Sequence, residues 1–140
     1  MAYKDIEESR LYQRAEKVAD EVWAEVVGWV PFAKDTIGQQ LSRATDSIGA
    51  NIAESAGRFH PGDVVRFLYF TRGSLKESRF WLKRAKQRQL ISDEFFNHVM
   101  TELNLLAKEL NAYINYQRTR SIKESSVDYE IHPLIGDDEI

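Results

Sequence analysis

Apolar residues recur along this chain in steps of three and four, the period of a helix with one buried face. The first run is Leu11, Ala15, Val18, Val22, Val26 and Trp29. Pro31 is expected to end it, because the residue before a proline is pushed out of the helical region. The second run is Ile37, Leu41, Ala44, Ile48 and Ile52, with Asp35 as its expected N-cap. The chain then breaks at Gly57-Arg58-Phe59-His60-Pro61-Gly62. Pro61 suits the first turn of a third helix, where no N–H is needed, and Asp63 suits that helix's positive end. The third run is Val64, Leu68, Thr71, Leu75, Ser78, Leu82 and Ala85. Ser92 then reads as an N-cap, with Asp93 and Glu94 in the first turn. The fourth run is Val99, Leu103, Leu106, Leu110, Tyr113 and Gln117.

Heptad-spaced helices joined by short links pack antiparallel, crossing at about 20°. The pattern therefore predicts an all-α fold, an antiparallel up-down four-helix bundle over residues 1–119 with a non-helical C-terminal tail over 120–140. No period is sustained in the tail. It is expected either to be disordered or to dock as an extended arm on a neighbour through Val127, Tyr129, Ile131 and Leu134.

A second stripe lies beside the apolar face of helix two: Arg43, Ser47, Asn51, Glu54 and Arg58, spaced four, four, three and four. Ser and Asn are poor in helix interiors, because their side chains compete for backbone hydrogen bonds. Their regular placement points to a shared partner rather than to an ordinary solvated face. Gly49, Ala50, Ala53, Ser55 and Ala56 keep the same helix slim. Helix three carries Gly73 mid-helix, beside Ser74 and Glu77, and a glycine there costs about 1 kcal/mol against alanine unless close packing repays it. Arg43, Asn51, Glu54 and Arg58 are expected to form a buried or interfacial network with Ser74 and Glu77.

The 140 residues suffice for one domain, and 43% are hydrophobic. Cysteine is absent, which excludes thiolate catalysis, iron–sulfur clusters, cysteine-ligated zinc and disulfides. This suits a reducing compartment, and a cytoplasmic location is expected. No apolar run approaches the ~20 residues of a membrane helix, and Met-Ala-Tyr-Lys-Asp-Ile-Glu-Glu has no signal-peptide core, so neither membrane nor leader is expected. Net charge is −3, but it is unevenly spread. Residues 63–89 carry eight basic and two acidic side chains, whereas residues 4–30 carry four basic and seven acidic. The split serves either neutralisation within a bundle and between subunits, or an anionic partner.

The run Gln40-Leu41-Ser42-Arg43-Ala44-Thr45-Asp46-Ser47-Ile48-Gly49-Ala50-Asn51-Ile52-Ala53-Glu54 resembles the signature of the bacterial four-helix bundle family, the 23S ribosomal RNA intervening-sequence proteins. The likeness continues through Gly57-Arg58, Arg66-Phe67-Leu68 and Gly73-Ser74-Leu75-Lys76-Glu77, and covers about residues 8–120. Ser55 stands where the family usually has glycine. The resemblance implies a left-handed antiparallel bundle assembled as a homopentameric ring, with no demonstrated activity. A related branch, the accessory variability proteins of diversity-generating retroelements, consists of basic pentamers that bind a reverse transcriptase and its RNA. Arg79-Phe80-Trp81-Leu82-Lys83 is similar to that branch, whereas the pI of 5.7 is not.

Chemistry finds little support. Glu94, His98 and Glu102 follow one face of helix four, but no Glu-x-x-His accompanies them, so His98 reads as a helix-flank residue. No Arg–His pair has the four-to-six spacing of toxin-like ribonucleases. His60 and His132 fall in a loop and in the tail, which supports no Ser-His-Asp grouping. The Gly57–Gly62 loop lacks the Lys-Ser/Thr end of a phosphate loop. No enzyme, cofactor or metal is expected.

Arg72, Lys76, Arg79, Lys83 and Lys86, by contrast, form one basic stripe in steps of four and three. Its repetition around a ring would sum weak phosphate contacts. Phe70, Phe80 and Trp81 neighbour it, and Trp23 and Trp29 suit the core or a subunit contact. The expected function is a ring-forming interaction protein. The alternatives are an RNA- or DNA-binding accessory factor, for instance for a reverse transcriptase, and a scaffold that docks a protein partner.

Overall fold

The computed structural model describes residues 5–127 and contains no strand among them. Asp5 caps a short 3-10 turn, Ile6–Glu8, by accepting from the Glu7 N–H at 3.1 Å. Ser9 then caps α1, Arg10–Val26, accepting from the Tyr12 N–H at 3.1 Å. Helix α2 spans Gln39–Ala56, α3 spans Pro61–Gln87 and α4 spans Asp93–Val127. Each helix packs on the next in sequence, and α4 closes back on α1. Short links and alternating direction make this the up-down bundle that the apolar period predicts.

The apolar positions read from the sequence are the core. Val18, Val22, Leu41, Ile48, Ile52, Leu68, Leu75, Leu82, Leu103, Leu106, Leu110 and Ile114 are all completely enclosed. At about 1.5–3 kcal/mol for each large side chain, their burial dominates the stability of the fold. Hydroxyls fill several remaining core positions. Thr45, Thr71 and Ser78 donate to carbonyls one turn back, at 3.1, 3.2 and 2.8 Å, so none is orphaned.

The junction of α1 and α2 differs from the expectation. The first helix ends at Val26, before Pro31 can stop it. Pro31 instead opens a helical lead-in, Pro31–Ala33, which passes through a π turn, Lys34–Gly38, directly into α2. Asp35 is therefore no N-cap. It lies exposed inside the π turn, where the backbone is already helical and an N-cap's extended geometry is lost. The wide turn brings Ala33, Ile37 and Gly38 all to the buried side. Gly38 is required there, because a Cβ at that position would lie 2.7 Å from Val26 Cγ1.

At the other turn, Gln89 takes φ 62°, the left-handed conformation that usually closes a helix on glycine. The Leu90 N–H donates to the Ala85 carbonyl at 2.9 Å and seals the end of α3. Ser92 caps α4 as expected, accepting from the Phe95 N–H at 3.1 Å. Helix α4 then runs to Val127, past residue 120 where the tail was expected to begin. The Thr119 hydroxyl still donates to the Asn115 carbonyl at 3.0 Å, so local bonding carries the helix beyond the end of the apolar stripe. The rest of the tail, with Tyr129, Ile131 and Leu134, lies outside the described residues.

Candidate interaction surfaces

The polar stripe of α2 is half-buried to exposed, and its bonds stay on its own helix. The Ser47 hydroxyl donates to the Arg43 carbonyl at 2.8 Å, and Asn51 Nδ2 to the Ser47 carbonyl at 2.9 Å. Arg58 Nη2 donates to Glu54 Oε2 at 3.0 Å, and its guanidinium covers the Phe67 ring 4.2 Å away. On α3, Glu77 accepts from the Trp81 indole at 3.1 Å, and Ser74 offers its carbonyl to Ser78. Among the described residues no hydrogen bond joins the α2 stripe to Ser74 or Glu77, so the stripe is not a buried network of the single chain. Gly73 also departs from the expectation of close packing: it is exposed, and an added Cβ would meet nothing within 4 Å. Ala50, Ala53 and Ala56 face outward too.

The basic stripe runs along α3 beside α4. Arg79 Nη2 donates to Asn104 Oδ1 at 2.8 Å, which fixes the register of the two helices. Lys86 Nζ lies 3.9 Å from Asp93 Oδ1 and 4.4 Å from the centre of the Phe96 ring. Arg72, Lys76, Arg79 and Lys83 meet no carboxylate among the described residues. Three of them, Arg72, Lys76 and Arg79, rim a groove of about 220 Å³ with Leu75 and Leu110 on its floor and Asn111 opposite. Arg72 Nη1 and Asn111 Oδ1 are enclosed there without a hydrogen-bond partner. The groove thus holds positive charge and unspent polar capacity together.

Sequence reasoning missed the seam between α1 and α4. Arg14 Nε donates to Glu109 Oε1 at 2.8 Å and Arg14 Nη1 to Glu102 Oε1 at 2.9 Å. Burial works against the Arg14 charge, but the two carboxylates outweigh it and hold the guanidinium above its ordinary pKa. Glu21 meets His98 Nε2 at 3.1 Å through both oxygens. Of the Glu94, His98 and Glu102 row, two members are therefore engaged across the seam. Among the described residues no cluster of three metal-ligating side chains occurs. The available signal was the seven-residue spacing of Glu102 and Glu109, two turns on one face.

Large apolar side chains also stand in solvent. Phe59 is 89% exposed and Phe32 80%, and Trp23, Val27, Val30, Phe70 and Phe80 are exposed as well. Trp29 and Trp81 are half-buried against the core. No described helix is long and apolar enough to cross a membrane.

Fold and surface together define an all-helical bundle. A sequence model of the 23S rRNA-intervening sequence proteins matches residues 7–112, and the chain belongs to that family. A protein of unknown function from the S23 ribosomal protein family of Bacteroides thetaiotaomicron has the same fold. Its structure superposes with a TM-score of 0.68 at 20% identity, covering 74% of this chain and 97% of the other. No curated protein matches the chain.

Proposed function

We propose that the protein is a non-enzymatic, self-associating interaction protein of the cytoplasm. The homopentamer that the family resemblance implies is its assembled form. The exposed apolar side chains carry this reading. Solvent-facing Phe32, Phe59, Trp23 and Val30 are out of place on a monomer, and their burial between copies would release structured water at about 25 cal/mol per Å². The open α2 stripe and the bare Gly73 face support it, since both offer close approach to a second chain. Native mass spectrometry tests it. The expected species is a multiple of the 16.2 kDa chain, five for the ring, and a single chain at micromolar concentration would overturn the reading.

A second reading, RNA or DNA binding along α3, is favoured by the four basic side chains that meet no described carboxylate. Charge reversal at Lys76, Arg79 and Lys83 is then expected to abolish oligonucleotide binding without unfolding the bundle. Undiminished binding would remove the stripe from that role. A protein partner docked on the assembled ring is the outcome to pursue if the assembly stays bare of nucleic acid.

A further inference from the structure

Charged side chains left without partners are sorted to opposite edges of the bundle. Helix α2 packs on α1 and α3, and α4 packs on α3 and α1, so the α1–α2 edge and the α3–α4 edge face away from each other. On the first edge, Glu16 and Asp20 of α1 and Asp46 of α2 are exposed and meet no cation among the described residues. On the second, Lys76 and Lys83 of α3 and Lys108 of α4 are exposed and meet no carboxylate among them. We infer that these edges are the two halves of one interface: the α3–α4 edge of each chain docks on the α1–α2 edge of a second copy. This rests on the self-association reading above and names the faces that touch.

Three observations carry it. The first is charge. Partial burial and the nearby Asp20 charge push the Asp46 carboxyl up, so this pair repels and lacks a cation of its own. Lys17, the nearest lysine in sequence, forms no ion pair with Glu16 or Asp20. Ammonium groups from a neighbour's α3 supply what the edge is missing. The second is apolar surface on both edges. Trp23 and Val27 continue the Glu16–Asp20 row in steps of three and four, and both are exposed. On α3, exposed Phe80 falls between Lys76 and Lys83 in steps of four and three. A polyanion is repelled by the acidic row, whereas a second copy satisfies both edges at once. The third is geometry. Because the edges are unlike and lie on opposite sides, each copy can hold one neighbour on either side, the head-to-tail contact from which cyclic assemblies are built.

Three full-length variants test this by native mass spectrometry at low salt, with circular dichroism reporting helix content. One reverses the basic edge, Lys76→Glu with Lys83→Glu. One reverses the acidic edge, Asp20→Lys with Asp46→Lys. The third carries all four changes. Each two-site variant is expected to stay helical and to lose at least about tenfold in affinity between chains. The four-site variant is expected to recover assembly, because both edges change sign together. In the parent, a carbodiimide, which joins touching carboxylates to lysines without a spacer, is expected to link Asp20 or Asp46 to Lys76 or Lys83 only in chains of doubled mass. Parental affinity in the two-site variants, a folded four-site variant that stays apart, or no such link between chains would overturn the inference and leave self-association standing. A parent that remains a single chain would overturn both. If a charge-reversed chain fails to fold, the coupling pattern of the parent decides. An assembled parent whose Lys76 and Lys83 stay uncoupled and bind single-stranded RNA would give this edge to nucleic acid instead.

Discussion

The two long seams of this bundle are finished to different degrees. Where α1 meets α4, Arg14 bridges Glu102 and Glu109 and Glu21 meets His98, so charged groups find partners across the seam within one chain. Along the outer face of α2, Ser47 and Asn51 bond only along their own helix, while on α3 Gly73 faces open space and Phe70 and Phe80 stand in water. The contrast teaches that ion pairs tie one seam together within the chain, whereas the other face leaves its side chains to their own helices and to solvent.

The sharpest way to break the contrast is at Arg14. Arg14→Leu leaves half-buried Glu102 without its cation and Glu109 with only Arg10 at 4.0 Å, and is expected to cost about 2 kcal/mol in urea unfolding. A change as small as that of a surface site would mean the ion pairs do not hold the seam. On the open face, Arg43→Ala is expected to leave single-chain stability within about 0.5 kcal/mol while weakening assembly. Unaltered oligomer mass at nanomolar concentration would count against the face.

Gly73→Ala comes next, because the exposed site has room for a methyl. A lone chain is expected to gain about 1 kcal/mol from it, whereas Gly73→Leu is expected to split the assembly. Survival of the oligomer in the leucine variant would show that Gly73 touches no neighbour. Gln89→Gly relieves a left-handed backbone and is expected to add about 0.5–1 kcal/mol, read as a higher melting temperature. The smallest effect is at Asp46, whose carboxyl is pushed up by partial burial and by the nearby charge of Asp20. With the folded pKa above the unfolded value, the charged form is the destabilised one. The penalty is full above the folded pKa and vanishes below the unfolded one. Asp46→Asn is thus expected to stabilise by about 0.3 kcal/mol near neutral pH, after solvent screening, and not at all near pH 3. An equal gain at both pH values would exclude a charge effect.

Much of this was readable from residue order. Leu41 to Ile52, Val64 to Ala85 and Val99 to Gln117 all bury where the period places them, because a bundle core needs only a repeating face. The α1–α2 junction was not. A proline and an aspartate read as stop and cap only if the backbone between them is non-helical, and a π turn keeps it helical. The last turns of α4 escaped because helix-local bonds such as that of Thr119 leave no apolar trace. The Arg14 seam needed the register of two helices 88 and 95 residues apart in sequence, which neither helix shows alone. The basic stripe was legible as a spacing, but the groove it rims exists only once α4 lies beside α3.

Helix α4 also matters for how the molecule is made. It follows the other three helices in the chain and supplies Leu103, Leu106, Leu110 and Ile114, all wholly enclosed in the fold. Each helix rests on its sequence neighbour, so α1 to α3 can form two antiparallel pairs during synthesis, quickly and from short-range contacts. Until α4 arrives, their inner faces stay uncovered and adhesive. Completion of α4 is therefore the step in synthesis that closes the core.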